Sequence, residues 1–130
     1  MKILFISTKG PLPTNDGHCL RTFNLLRQVA QKHEVYLVSS VKFDEEYDHI
    51  EELDNICKHV AYFPLKENHS RLQLAFSLAR NLLSPKPFVA QKYDNDNMRQ
   101  AIRRLMSEVA FDVIHIDMLP LACYLELFVG

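Results

Sequence analysis

A doubly wound α/β fold on a parallel sheet is what this sequence predicts, on two observations. Short, continuous apolar runs rich in Ile, Leu, Val and Phe recur along the chain, as strands covered on both faces require. Between them lie segments whose apolar residues repeat at helical spacing.

The first run is KILFIST, Lys2 to Thr8. EVYLVSS (Glu34 to Ser40) and DVIHID (Asp112 to Asp117) share its character, and VAYFPL (Val60 to Leu65) carries it more weakly, closed by Pro64. Between the first two runs, Leu20, Phe23, Leu26 and Ala30 fall on one helical face and Arg21, Asn24 and Gln28 on the other. FDEEYDHIEELDNICK carries Ile50, Leu53 and Ile56 or Cys57 on a narrower stripe, and its acids read as a solvated helix face. SRLQLAFSLARNLL predicts a helix with Ser70 as N-cap and Leu72, Ala75, Phe76, Ala79, Leu82 and Leu83 along it, ended by SPKPF. DNDNMRQAIRRLMSEVAF predicts another, with Asp94 at the cap and Met98, Ala101, Ile102, Leu105 and Val109 facing inward. LPLACYLELFVG reads as an apolar helix. Joining such strands in parallel takes right-handed crossovers, which gives a Rossmann-like sheet of about four strands with helices on both faces.

The 130 residues fit one domain, 1–130, with a real core and no room for a second. A hydrophobic content of 48% and a charged content of 24% exclude a disordered or collagen-like chain. The net charge of -1 supplies no basic field for nucleic acid. Cys19, Cys57 and Cys123 are odd in number and form no C-x-x-C pair, against both a disulfide framework and a zinc site. A reducing cytoplasm is the simplest setting for them. No apolar run is long enough to span a membrane.

After the first strand the chain reads STKGPLPTNDGHCLRTFNLL. In doubly wound sheets ligands bind outside the carboxyl ends of the strands, and this loop lies there. Gly17 lacks a Cβ, so the chain can turn sharply and bring the N–H groups of the following helix close to an anion such as phosphate. Gly10 and Gly17 alone do not make G-x-G-x-x-G, and no Walker A loop is present, which speaks against NAD and P-loop chemistry. The same glycines with Pro11 and Pro13 equally suit a simple surface turn.

His115 and Asp117 alternate with Ile114 and Ile116 and so share one side of their strand near its carboxyl end. A lone histidine on an apolar strand is more often a satisfied core residue, whereas Asp117 ends the strand and suits the cleft. From Asn68 to Tyr93 there is no acid, while Arg71, Arg80, Lys86 and Lys92 accompany Leu72, Phe76, Leu82, Leu83 and Phe88. That mixture fits a core-packing helix with solvated cations first, and an interfacial helix second.

MKILFIST, PLPTNDG and LRTFNLLRQVAQKHEVYLVS together resemble the opening of GT-B glycosyltransferases of the large retaining family 4, particularly bacterial sugar transferases of exopolysaccharide or exosortase loci. FDVIHID resembles a later strand of that family. The resemblance implies an acceptor-side N-terminal domain of an enzyme moving a sugar, with retention, from a nucleotide-sugar donor to a saccharide or lipid-linked acceptor in cell-surface polysaccharide synthesis. It implies no cofactor beyond the donor substrate and no metal. Gly17, His18 and Arg21 would then serve the donor phosphates and sugar, His18 standing where the family has a second glycine; His115 and Asp117 would take catalytic positions. It also implies a cytoplasmic protein, with peripheral contact at the inner face of the membrane through 70–92. The family's C-terminal nucleotide-sugar domain is absent from the 130 residues, and further βα units are expected after DVIHID. The expectation is therefore a truncated domain, inactive alone, whose edge strand at 112–117 invites self-association. The alternative is a non-catalytic α/β binding or interaction module that lacks its C-terminal domain.

Overall fold

A computed structural model describes residues 1–42, 44–65, 71–83 and 93–129. Strands β1 (Lys2–Ser7), β2 (Glu34–Val41), β3 (His59–Pro64) and β4 (Val113–Ile116) form one parallel sheet in the order β3-β2-β1-β4. Lys2 pairs with Glu34 through to Ser7 with Ser39, Ile3 with Val113 through to Ile6 with Ile116, and Tyr36 with His59 through to Val41 with Pro64. The two central strands are buried after their first residue, while β3 and β4 at the edges are half-buried.

Alternation along the strands divides the core in two. Phe5, Val35 and Leu37 pack with Leu26 of α1 (Gly17–Ala30) and Leu53 of α2 (Ile50–Asp54). Leu4, Ile6, Tyr36 and Val38 turn the other way, onto Met98, Ile102 and Leu105 of α4 (Asp96–Glu108) and onto Leu121 and Tyr124 of a 3-10 helix, Leu119–Leu127. Each side chain removed from water in these layers stabilises the fold by roughly 1.5–3 kcal/mol. Serving both layers is why β1 and β2 read as unbroken apolar runs rather than as alternating ones.

Several local expectations change. Leu20 is exposed, and Cys19, Thr22 and Leu26 are the buried residues of α1. The stripe is rotated because Asp16 caps the helix through the Cys19 N–H and Thr22 turns inward to a buried carboxylate. The acidic segment is a 3-10 helix, Asp44–His49, followed by the single turn of α2. Glu46 is no part of a solvated face: it is buried, and its oxygens accept the N–H groups of Gly10 and Lys42, both at 2.8 Å. Asn95, not Asp94, caps α4, accepting from the N–H groups of Asn97 and Met98, while Asp94 pairs with Arg99. LPLACYLELFVG forms the 3-10 helix rather than an α-helix. Helix α3 (Arg71–Leu82) is present, but Phe76, Leu82 and Leu83 are 72%, 87% and 91% exposed, so they do not pack into the core as first expected. Ser70, Lys86, Phe88 and Lys92 lie outside the described residues.

Candidate functional site

The chain passes from β1 to β2 on one side, and β4 lies on the other side of β1. The switch point of the winding is therefore between β1 and β4, where ligands of doubly wound sheets bind. Asp117 follows β4 directly. Its backbone N–H donates to the Ile6 carbonyl at 2.9 Å, and its side chain is only 3% exposed.

An ionised carboxylate with so little contact with water needs donors, and α1 supplies them. His18, Arg21 and Thr22 stand at i, i+3 and i+4 on one side of its first turns. Arg21 Nη2 donates to Oδ1 at 2.7 Å; Thr22 Oγ1 donates to Oδ2 at 2.9 Å; His18 Nε2 lies 2.9 Å from Oδ2. Arg21 keeps 63% of its side chain in solvent, so its charge is shared between the buried aspartate and whatever approaches from outside.

His115 lines the same carboxylate without bonding to it. Its Nε2 is 3.8 Å from Oδ1, and its ring lies against Phe5 with centroids 4.3 Å apart. His18 Nδ1 and His115 Nε2 are both buried with no hydrogen-bond partner. Met118, next in the chain, has φ 152°, a region that favours glycine, and its sulfur accepts from Thr8 Oγ1 at 3.6 Å. Backbone strain of this kind gathers at sites the surroundings hold firmly.

Of the residues singled out in the sequence, His18, Arg21, His115 and Asp117 thus converge on one point. Gly17 opens α1 beside them, and a Cβ built there meets nothing within 4 Å. The glycine under steric demand is Gly10, where a Cβ would lie 2.8 Å from the Tyr62 hydroxyl oxygen and 3.3 Å from Glu46 Oε1. Sequence reasoning missed Thr22 and Glu46. Thr22 carries a signal in retrospect, since it sits four residues after His18, but that matters only once Asp117 is known to face α1.

Asp16, His18 and Cys19 also offer three ligand atoms within 4.8 Å of one another, and the chain's own groups already engage all three side chains. The Lys9 ammonium hydrogen-bonds Asp16, which with the Cys19 N–H holds that carboxyl down at about 2. Burial pushes the Cys19 thiol up to about 11, keeping it protonated, and its sulfur donates to the Gly10 carbonyl at 3.5 Å.

Fold and site together define an α/β domain with a buried aspartate clamped at its switch point by the first turns of the opening helix. No family model matches the chain, and no curated protein or solved structure matches it either.

Proposed function

We propose that this chain is the acceptor-side domain of a sugar transferase, which moves a sugar from a nucleotide donor to a hydroxyl of a saccharide or lipid-linked acceptor. The observation that supports this reading is the convergence of His18, Arg21, His115 and Thr22 on Asp117, outside the carboxyl ends of β1 and β4. A fold of this kind serves many functions, so the site has to carry the reading. Its contribution would be positioning and electrostatic: Arg21 and the start of α1 face the diphosphate, and the imidazoles face sugar hydroxyls. The clamp on Asp117 holds Arg21 in place before a ligand arrives, which lowers the cost of ordering it on binding.

Calorimetric titration with UDP, GDP and their sugars tests this. Binding is expected, with Arg21→Ala weakening it by tenfold or more, since a hydrogen bond to a charged group contributes about 1.5–3 kcal/mol. Gly17→Val is expected to abolish it by filling the open space beside the helix start. Absence of binding to the unmodified chain would remove the donor phosphates from this site.

A further inference from the structure

We propose that Glu46 is a proton-operated latch on the loop after β1: ionised, it holds residues 9–16 and the start of α1 in place, and protonated, it turns to Tyr62 and lets them go. Glu46 is 5% exposed, while Asp44, Glu45 and Asp48 beside it in the 3-10 helix face water. Both of its oxygens accept hydrogen bonds, Oε1 from the Gly10 N–H and Oε2 from the Lys42 N–H, each at 2.8 Å. An ionised carboxylate is an acceptor at every lone pair, which suits two converging donors. A proton on Oε1 places a third donor among them. The Gly10 N–H bonds to Glu46 in a buried setting, so without that acceptor it has to move out to water.

Tyr62 of β3 gives the latch its second position. Its hydroxyl oxygen is buried and has no hydrogen-bond partner, in contrast to nearly all buried polar groups. A Cβ at Gly10 would lie 2.8 Å from that oxygen and 3.3 Å from Glu46 Oε1, so phenol and carboxyl meet over the same backbone atom. While Glu46 is ionised, Oε1 is spent on Gly10 and the phenol is left over. Once protonated, the carboxyl O–H donates to the phenol oxygen as Gly10 departs. Burial pushes the Tyr62 phenol up, so its own proton stays on throughout. Each protonation state of Glu46 thus has its own set of paired groups, which is what biases a two-position element.

The loop passes the change on to α1. The Gly10 carbonyl accepts from Cys19 Sγ at 3.5 Å, Ser7 Oγ donates to the Lys9 carbonyl at 2.9 Å, and the Lys9 ammonium bonds Asp16, the N-cap of α1. Releasing Gly10 therefore loosens the turn that carries His18 and Arg21. The titratable groups facing Glu46 are Tyr62 from β3, Lys9 from the loop and Cys19 from α1, with Asp54 and Cys57 around Tyr62. The hydrogen bond to Asp16 holds Lys9 above its ordinary value, and burial pushes Cys19 up to about 11 and Cys57 up to about 12. Exposed Asp54 apart, Glu46 is thus the group of this cluster that gains a proton in acid.

NMR of the backbone amides, followed from neutral pH into acid, tests the latch with no ligand present and so independently of the sugar-transferase reading. Expected is one titration shared by the Gly10 and Lys42 amides. On its acid side the Gly10 hydrogen is expected to exchange, relative to its intrinsic rate, about tenfold faster or more, as the loss of a hydrogen bond to a charged group implies. The Leu20 amide, which donates to the Asp16 carbonyl at 3.0 Å, is expected to lose protection at the same midpoint. Glu46→Gln is expected to abolish the titration of Gly10. Tyr62→Phe keeps the carboxyl and serves if the glutamine variant does not fold; it is expected to lower the midpoint by roughly half a pH unit, because the protonated state loses its partner. A Gly10 amide that does not titrate, one that titrates unchanged in Glu46→Gln, or a Leu20 amide protected throughout would overturn the latch. So would a midpoint that rises in Tyr62→Phe, since the hydroxyl would then be serving the ionised carboxylate.

Discussion

Two buried charges of opposite sign sit on opposite faces of the sheet, and their surroundings differ in one respect. Arg99 of α4 spends every side-chain nitrogen: Nε donates to Asp94 Oδ1 at 2.6 Å, Nη1 to Glu126 Oε1 at 2.5 Å and Nη2 to the Cys123 carbonyl at 3.0 Å. Its guanidinium also lies over the Tyr124 ring, 5.2 Å from the centroid. The hydrogen bond to Asp94 above all holds its pKa above the usual arginine value. Tyr124 in turn accepts from the Asn95 N–H at 3.0 Å and donates to the Tyr93 carbonyl at 2.5 Å. Asp117 is just as well satisfied itself, but two of the rings around it keep a buried nitrogen with no partner. A charge that uses up its neighbours' bonding capacity fastens one element to another, here the Leu119–Leu127 helix to α4. A charge that leaves capacity open in its neighbours prepares a place for something else.

The largest effect expected on stability is at Arg99. Arg99→Met keeps much of the volume but removes three hydrogen bonds and the ring contact. Asp94 and Glu126 retain enough exposure to rehydrate, so the loss is about 2–4 kcal/mol in urea unfolding. Binding of nucleotides by the folded chain is expected to be unchanged. If Arg99→Met weakens binding as much as a change at Asp117 does, the distinction between a fastening charge and a site charge collapses.

Asp117→Asn comes second in stability and first in function. Arg21 is exposed enough to return to water, so the loss is expected to be smaller, about 1–3 kcal/mol, mostly from donors on His18 and Thr22 left facing an amide. Calorimetry on the folded variant is expected to show ligand binding lost out of proportion to that change. A variant that unfolds more easily yet binds normally would make Asp117 a second fastening charge.

The sheet was legible because β1 and β2 serve two apolar layers, and that demand writes itself into every residue from Ile3 to Ile6 and from Val35 to Val38. The start of α1 and the placement of His115 and Asp117 on one strand side were legible for the same periodic reason. Less could be read where one side chain makes a long-range bond. Glu46 looks like its exposed acidic neighbours until Gly10 and Lys42 are seen to converge on it, in a segment that is a 3-10 helix. Thr22 looks like a neutral helix residue until Asp117 arrives from 95 positions away. Apolar spacing in α3 was misleading, because periodicity records a face and not what covers it: Phe76, Leu82 and Leu83 keep the spacing while exposed.

A third charge, at the surface, sharpens the comparison by its small effect. Asp16 caps α1 and is hydrogen-bonded by Lys9, which together with the Cys19 N–H lowers its pKa from 3.8 to about 2. A carboxyl held down in the folded chain adds stability that is present above its ordinary value and lost as pH falls through the folded one. Asp16→Asn keeps an oxygen for the Cys19 N–H but removes the negative charge that pairs with Lys9 and faces the start of α1. The urea midpoint of the unmodified chain is therefore expected to exceed that of Asp16→Asn slightly at neutral pH. The difference should shrink below pH 3.8 and vanish below about 2, and added salt should reduce it throughout. The contact between His18 Nε2 and Asp117, read from the imidazole nitrogen shifts, should not respond to the substitution, because its partner sits after β4 and not at the cap. A His18 signal that moves with Asp16→Asn would place the control of that ring at the exposed end of α1, and the contrast between buried and surface charge would have to be redrawn there.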